Sequence, residues 1–185
     1  MDDLSFDGAD DFVDVGTFDV SGSALTLAAW IQPRNLANCS SADCRILSKA
    51  TGTAEADHYF MLGTISSGAS VVLRFRLKTG GTTTTLIGSG ALPEDTWVHA
   101  AAVYDGSFME LFLNGIPVGS TPKTGALSTN ATVGVWIGSN PPLASSKPWD
   151  GLIDEVRIYD RALTAADILS LPPPGGVPGI PRWRR

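Results

Sequence analysis

Polar and hydrophobic residues alternate along much of this chain with a period of two, the spacing of a β-strand with one buried face. The clearest alternation covers residues 71–78, where apolar residues occupy the odd positions and Arg74, Arg76 and Lys78 the even ones. Pairs such as Asn114-Gly115 separate neighbouring stretches and favour tight hairpin turns. The pattern therefore predicts an antiparallel, all-β fold.

Strand-like stretches continue almost to the end of the chain. They cover two short segments between residues 4 and 15, and then 25–33, 45–50, 58–65, 71–78, 82–87, 97–106, 108–115, 116–120, 133–138 and 150–160. Residues 163–169 instead indicate one short helix, with Thr164 as N-cap, Asp167 in the first turn and Leu163 packing on Ile168. We predict one domain over residues 1–171 and a Pro/Gly-rich linker or disordered tail over residues 172–185. Trp183, among three arginines, is either a recognition tag or the ragged end of that linker.

Composition narrows the class of partner. The 185 residues are 43% hydrophobic, which is enough for one good core, and the formal net charge is −6. An acidic domain of this kind disfavours a nucleic-acid partner. No apolar run of about 18 residues is present to span a membrane, and the first residues lack the pattern of a signal peptide. We therefore expect a module taken from a larger parent chain, with neighbouring domains as partners.

Cys39 and Cys44 are the only cysteines, and a short polar stretch separates them between two strand-like runs. A zinc site would need further ligands, and the two histidines, His58 and His99, fall in separate strands. A disulfide that closes this loop is the preferred interpretation, with free thiols as the alternative. A disulfide favours an oxidising, extracellular or cell-surface location.

The last strand-like stretch, residues 150–160, carries a carboxylate among apolar residues. Its predicted core face is made of Leu152, Asp154, Val156 and Ile158. An ionised carboxylate on that face costs several kcal/mol unless a cation or several donors meet it. Arg157 belongs to the opposite face. A bound metal ion is therefore the leading partner for Asp154.

A second concentration of carboxylates lies near the N terminus. Asp7, Asp10 and Asp11 fall together in an Asp/Gly bend between two short strands. Such a bend brings several oxygen ligands close together, which suits a hard cation.

Six stretches resemble, in order, the bacterial laminin G form of the LamG-like jelly roll, within the concanavalin A-like lectin/glucanase superfamily. They are L-S-F-D-G at 4–8, D-F-V at 11–13, L-T-L-A-A-W-I-Q-P at 25–33, W-V-H-A-A-A-V-Y-D-G at 97–106, L-N-G at 113–115 and D-G-L-I-D-E-V-R-I-Y-D-R-A-L at 150–163. The resemblance implies a two-sheet antiparallel sandwich whose first and last strands are neighbours. It also implies that Trp30 and Trp97 are structural.

The resemblance further implies a structural calcium ion, held by a carboxylate of the N-terminal turn and by the Asp of the last strand. Those positions correspond to Asp7 and Asp154, with Asp10 and Asp11 as accessory ligands. Oxygen ligands at flexible geometry favour Ca²⁺ over zinc. The alternative is that Asp7 caps its own turn and Asp154 is only hydrogen bonded.

Catalysis is disfavoured. The glucanases that this chain resembles place two glutamates on one strand to flank a glycosidic bond, and none of the four glutamates here has such a neighbourhood. Asp154 and Glu155 are adjacent and so face opposite sides of a strand. No nucleophile-elbow motif accompanies His58 or His99, and both are interpreted as ordinary strand residues.

The leading prediction of function is a non-catalytic, lectin-like module of a secreted bacterial protein that binds a polysaccharide or other glycan. Sugar recognition needs aromatic faces and planar polar groups. The candidate contacts are Trp136, Asn140, Trp149, Tyr59, Arg74 and Arg76, with Lys78 in the same basic row. If that row lines the site, the glycan is acidic.

Each contact prediction has a simpler alternative. The basic row is equally consistent with a solvated strand face, and Trp149 with a core residue. The alternative for the whole chain is an adhesion or spacer module that makes protein contacts and binds no sugar.

Overall fold

The computed structural model describes residues 3–175, and twelve strands in this range form two six-stranded antiparallel sheets. Sheet A consists, in spatial order, of β1 (Leu4–Asp7), β12 (Asp150–Tyr159), β3 (Leu25–Pro33), β8 (Val98–Tyr104), β9 (Phe108–Leu113) and β10 (Ile116–Pro122). Sheet B consists of β2 (Val13–Thr17), β11 (Gly134–Ile137), β4 (Arg45–Ala50), β5 (His58–Ser67), β6 (Ser70–Thr79) and β7 (Thr82–Ala91). The predicted all-β jelly-roll sandwich, with first and last strands paired, is confirmed.

The core lies between the two sheets and follows from the alternation along the strands. In β6, Leu73, Phe75 and Leu77 face inward and are at most 1% exposed. The predicted hairpin is also present, because Asn114 and Gly115 both adopt positive φ and connect β9 to β10. The expected tail begins within the described range, but residues 176–185 lie outside it, so the tail remains a prediction.

The predicted core face of β12 is wrong over its first half. Ile153, rather than Leu152 or Asp154, is fully buried in the core. Asp154 pairs with Trp30 of β3 but Arg157 pairs with Ala28, so β12 contains one extra residue between these points. Such a β-bulge reverses which side chains face inward, and Glu155 within it has a φ of 50°.

Beyond the bulge, Val156 and Ile158 pack against the core as predicted. The reversal removes the reason for a core-facing carboxylate, because Asp154 shares its face with Leu152 on the outer side of sheet A. Its Oδ1 accepts a hydrogen bond of 2.8 Å from the Glu155 backbone N–H.

A short helix, α1 (Ala165–Leu169), begins where the sequence predicts it. The Thr164 side chain accepts from the Asp167 N–H at 3.2 Å, and the Asp167 carboxylate accepts from the Thr164 N–H at 2.9 Å. This reciprocal capping stabilises the first turn. The helix covers the outer face of sheet A and forms a second apolar cluster with Ala28, Ala101, Val103, Phe112, Leu163 and Ile168.

The predicted disulfide between Cys39 and Cys44 is present, and both cysteines are buried. It closes a small loop that contains a 3-10 turn at Ser40–Ala42 and then Asp43. The Thr64 hydroxyl of β5 donates to the Ala42 carbonyl, so this loop lies against sheet B. Among residues 3–175, no helix has the length and apolarity needed to cross a membrane.

Candidate functional site

The outer face of sheet B carries several of the residues that the sequence predicts as sugar contacts. The strand registers align one row of side chains across this face: Asp14, Trp136, Ser48, Met61, Arg76 and Thr85. Ser48 and Met61, at the centre of the row, are fully buried. Loops therefore cover the middle of this face, while the two ends of the row remain more accessible.

An aromatic pair occupies the β2–β11 end of the row. The rings of Phe12 and Trp136 stack with centroids 4.1 Å apart and an interplanar angle of 25°. Phe12 is 39% exposed and Trp136 is half-buried. We call Phe12 and Trp136 the aromatic platform. Its exposed ring surface is suited to stacking against an apolar face of a ligand.

The aromatic platform adjoins the predicted carboxylate bend. Asp7, Asp10 and Asp11 are exposed, and they offer carboxylate oxygens that all lie within 4.8 Å of one another. Two of the three also shape the turn, because Asp7 Oδ1 accepts from the Ala9 N–H at 2.8 Å and Asp11 Oδ2 accepts from the Asp7 N–H at 2.9 Å. The bend thus combines turn capping with a group of oxygens that fits a hard cation.

The expected convergence of Asp7 and Asp154 is not observed. Their strands are neighbours, but Asp7 lies opposite Asp150 and Leu4 opposite Ile153. Asp154 is therefore displaced by four residues along the strand, or roughly 13 Å at about 3.3 Å per residue. One ion cannot be shared over that distance.

Asn140 is not available to a ligand, contrary to its predicted role as a sugar contact. It is fully buried, and its Oδ1 accepts from Arg45 Nε at 3.0 Å and from the Ser48 hydroxyl at 3.0 Å. Its Nδ2 donates to the carbonyls of Gly52 and Pro141, both at 2.8 Å. The loop after β11 therefore folds down onto sheet B and uses Asn140 as an anchor.

The predicted contact role of Trp149 is also wrong. Its side chain is 1% exposed and belongs to the core between the sheets. Tyr59 is half-buried and engaged, because its hydroxyl accepts from Asn130 Nδ2 at 3.1 Å and Lys78 Nζ lies 4.8 Å from its ring centroid. Of the predicted aromatic contacts, Trp136 has the most suitable position.

The predicted basic row of β6 is not a solvated face. Arg74 is 5% exposed, and it forms an ion pair with Asp43, which also binds Arg45. Lys147, from the loop before β12, places Nζ 3.2 Å from the second oxygen of the same carboxylate. Arg76 lies in the next outward position of β6. We call Arg45, Arg74, Arg76 and Lys147 the cation cluster.

Burial lowers the pKa of every member of the cation cluster, and repulsion from neighbouring cations lowers it further for three of them. Burial, followed by the charge of Arg76, lowers the pKa of Arg45 and that of Arg74 to about 9. The pKa of Lys147 is lowered by burial and then by the three arginines. Burial also lowers the pKa of Arg76, against the opposing effect of Glu55 and Asp57. The region therefore holds more positive charge than its buried carboxylate neutralises.

His58 lies beside this cluster, and His99 lies on the outer face of sheet A. The pKa of His58 is lowered to about 4 by burial and then by the charges of Arg45 and Arg76. Hydrogen bonds of its ring with the Ala54 backbone and the Asn140 side chain oppose this shift. Burial, and then Arg157, lowers the pKa of His99 to about 4. Both rings are therefore neutral near pH 7. Both residues lie in strands, as the sequence indicated.

Sequence reasoning missed Phe12, Asp43, Arg45 and Lys147. The signals were weak but present: Phe12 directly follows the carboxylate bend, and Asp43 lies inside the disulfide loop. Arg45 and Lys147 are separated by about a hundred residues, so no local pattern connects them.

A separate apolar cavity of about 580 Å³ opens between β2 and the second half of β12. Its walls are largely apolar, and Tyr159 and Asp160 contribute polar groups. The apolar lining residues are Val15, Phe18, Val20, Leu47, Ile137, Val156 and Ile158.

Comparison with known proteins adds to this geometry. A family model described as the concanavalin A-like lectin/glucanases superfamily matches residues 7–169. No curated protein matches the chain.

Three solved structures illustrate the shared fold. A native heptameric SAP-like pentraxin from Limulus polyphemus is 20% identical, with a TM-score of 0.65 over 90% of this chain and 79% of that one. Domain 4 of AbnA, an extracellular GH43 arabinanase from Geobacillus stearothermophilus solved with arabinotriose, is 20% identical, with a TM-score of 0.62 over 86% and 71%. The CBM40 of the Ruminococcus gnavus IT-sialidase, bound to α2,3-sialyllactose, is 14% identical, with a TM-score of 0.63 over 91% and 94%.

Proposed function

The chain belongs to the concanavalin A-like lectin/glucanases superfamily, and we propose that it is a non-catalytic, carbohydrate-binding module of a secreted protein. The observation that carries the proposal is the aromatic platform, a stacked and partly exposed ring pair beside a group of three carboxylates. Similar folds include a domain solved with arabinotriose and a module bound to sialyllactose, which supports a glycan as the ligand class.

The platform has the chemistry that sugar binding needs. A sugar ring presents C–H groups on one face and hydroxyls at its edge, so an aromatic ring beside polar oxygens serves both. Trp136 provides the ring, and Asp14 is its cross-strand neighbour on the outer face. The carboxylates of the bend, either directly or through a cation, are close enough in sequence to Phe12 to meet hydroxyls at the ring edge.

The proposal includes a structural calcium ion held by Asp7, Asp10 and Asp11. Three carboxylate oxygens within 4.8 Å form a hard ligand set of the type that Ca²⁺ prefers. Asp154 is excluded from this set by its register.

Glycan binding is tested with a glycan array and affinity gels of neutral and acidic polysaccharides. We expect retention that falls about tenfold in Trp136→Ala and in Phe12→Ala, because each change removes ring surface. Phe108→Ala is the matched control, since Phe108 is also exposed, at 45%, but belongs to sheet A, whereas Trp136 belongs to sheet B. Equal retention by all three variants would contradict the proposal.

Calcium is tested by thermal melting with added Ca²⁺ and with a chelator, together with elemental analysis. Asp10→Asn is the informative variant, because no hydrogen bond of the Asp10 carboxylate is found among the described residues and the turn should survive the change. We expect Ca²⁺ to raise the Tm of the wild type and of Asp154→Asn, but not that of Asp10→Asn. A chelator-independent melting curve with no bound metal would exclude the ion.

A second function, protein adhesion or spacing between domains, is favoured by the apolar cavity beside β2. Its lining is suited to an apolar side chain of a neighbouring domain or partner. The same array separates the two functions, since an adhesion module should retain no glycan at all. The Cys39–Cys44 disulfide supports an extracellular location for either function.

A further inference from the structure

The cation cluster has too few acceptors for its donors. Asp43 is the carboxylate that Arg45, Arg74 and Lys147 share, and its side chain is only 13% exposed. The corresponding exposed fractions are 0% for Arg45, 6% for Arg74 and 27% for Lys147. Two buried cations and one partly exposed cation therefore meet one carboxylate.

Three donor atoms of the cluster are buried and have no partner among the described residues. They are Nη2 of Arg45, Nε of Arg74 and Nε of Arg76. Leaving a buried donor without a partner is unfavourable, and more so when the donor is charged. The three arginines lie close together across sheet B, Arg45 on β4 and the other two on β6, because Gly63 of the intervening β5 pairs with both Arg45 and Arg74. These three donors thus belong to one region of sheet B.

An anion would satisfy these donors. Guanidinium groups bind the planar oxygens of carboxylate and the oxygens of sulfate through charge-assisted hydrogen bonds. A bound anion would also offset the repulsion that lowers the pKa of Arg45, Arg74 and Lys147, which remains although Asp43 is paired with all three.

We infer that the cation cluster is a binding site for the carboxylate or sulfate group of an acidic sugar. Lys147, the most exposed member of the Asp43 ion pairs, lies on the solvent side and defines the point of entry. This inference rests on the proposed carbohydrate-binding function and extends it to the class of ligand.

The position of the cluster relative to the aromatic platform fits one extended ligand. Trp136 and Arg76 belong to the same row of sheet B and are separated by three strand spacings. At about 4.8 Å per spacing, the distance is roughly 14 Å. One sugar of a short acidic oligosaccharide could stack on the platform while a charged sugar reaches the cluster.

The test is calorimetric titration with three probes: galacturonic acid, a sulfate ester of galactose, and galactose as the neutral counterpart. We expect at least one charged probe to bind the wild type more tightly than galactose does. Arg76→Gln and Lys147→Gln should each weaken that binding about tenfold, since each removes a charged hydrogen-bond donor. The charged probe that binds more tightly shows whether the recognised group is a carboxylate or a sulfate.

Arg161→Gln is the matched control, because it removes the same charge from an arginine that is 61% exposed on the other side of the sandwich. It should bind the charged probes as the wild type does. Equal binding by the three variants, or no binding of either charged probe by the wild type, would overturn the inference. Thermal melting confirms that each variant is folded.

Failure of this inference can be distinguished from failure of the proposed function. If neutral glycans are retained through Trp136 but charged probes do not bind, the ligand class is wrong and the function stands. If charged probes bind and depend on Arg76 and Lys147 while no glycan depends on Trp136, the cluster is an anion site without the platform. That result would contradict the aromatic part of the proposed function.

Discussion

The outer faces of the two sheets are both covered, but by very different means. Helix α1 and the segment just before it cover sheet A with Ile168 and Leu163, which pack on alanines, a valine and a phenylalanine. Loops cover sheet B with polar groups, and Asn140 and Asp43 bind to charged side chains of the strands below. The apolar contact depends on shape, whereas the polar contact depends on each hydrogen bond and charge being matched.

Because of this difference, the stability of sheet B should respond to salt and bound anions, while that of sheet A should not. Apolar packing on sheet A depends little on charge screening, because the cluster completed by α1 consists of apolar side chains. On sheet B, several cations have lowered pKa values and carry donor atoms without a partner among the described residues. A bound anion can therefore change the stability of this face. Four measurements test the comparison.

The largest effect is expected from Asp43→Asn, which removes the carboxylate shared by three cations. Breaking a buried ion pair from one side costs about 3–5 kcal/mol, and the partial exposure of Asp43 favours the lower value, about 3 kcal/mol. Urea unfolding provides the measurement. Arg161→Gln, from an exposed pair with Asp167 at 4.0 Å, is the control and should change stability by less than about 0.5 kcal/mol. A similar loss of stability in Asp43→Asn and Arg161→Gln would mean that the ion pairs of Asp43 stabilise the protein no more than an exposed pair does.

Ile168→Ala tests the apolar cover of sheet A. Ile168 is 1% exposed, so truncation should cost about 2–3 kcal/mol through lost burial and a residual cavity. The neighbouring Leu169 is 66% exposed, and Leu169→Ala should be nearly neutral. Unfolding measured at low and high salt should give the same cost for Ile168→Ala. A strong salt dependence would show that the two faces are not distinct in this way.

Removal of the disulfide tests how the loop over sheet B is held. The crosslink between Cys39 and Cys44 closes a small loop, for which chain entropy alone predicts a loss of about 2 kcal/mol in a Cys39→Ser/Cys44→Ser variant. Because Asp43 lies inside that loop, the pKa of its cationic partners should also change, which NMR titration of Lys147 can detect. An unchanged Lys147 titration would mean that strand β4 alone positions Asp43.

The smallest expected effect is the pH dependence of stability, which compares His58 on sheet B with His99 on sheet A. The folded pKa of His58 and of His99 is about 4, below the ordinary value of 6.5, so the unfolded chain binds more protons between these pH values. Stability should therefore be constant above about pH 7 and decline as the pH falls through 6.5, with the loss complete near pH 4. Each histidine should contribute roughly 1 kcal/mol of loss between about pH 7 and 5.5.

Urea unfolding of His58→Gln and His99→Gln at both pH values measures these contributions separately. Each variant should remove its own share of the slope. The same unfolding measurements can be repeated at low pH with added sulfate. If sulfate restores stability in His99→Gln but not in His58→Gln, the anion acts on sheet B alone. An unchanged slope in both variants would show that other groups cause the pH dependence.

The sequence alone determined the local structure, because strand period, turn residues and caps act over a few neighbouring residues. The alternation of β6, the Asn114-Gly115 turn, the Thr164–Asp167 capping pair and the short disulfide loop all appear as predicted. The order of family-like segments also indicated the sandwich and the pairing of its terminal strands.

Only the tertiary structure decided which faces point inward and which distant residues meet. The extra residue at the Glu155 bulge reverses the face of Asp154, and a period of two cannot reveal an inserted residue. The loop after β11 buries Asn140 and Trp149 instead of presenting them. Arg45 and Lys147 meet at one carboxylate because the two strands and a returning loop converge there, and such long-range contacts are set by packing rather than by any local pattern.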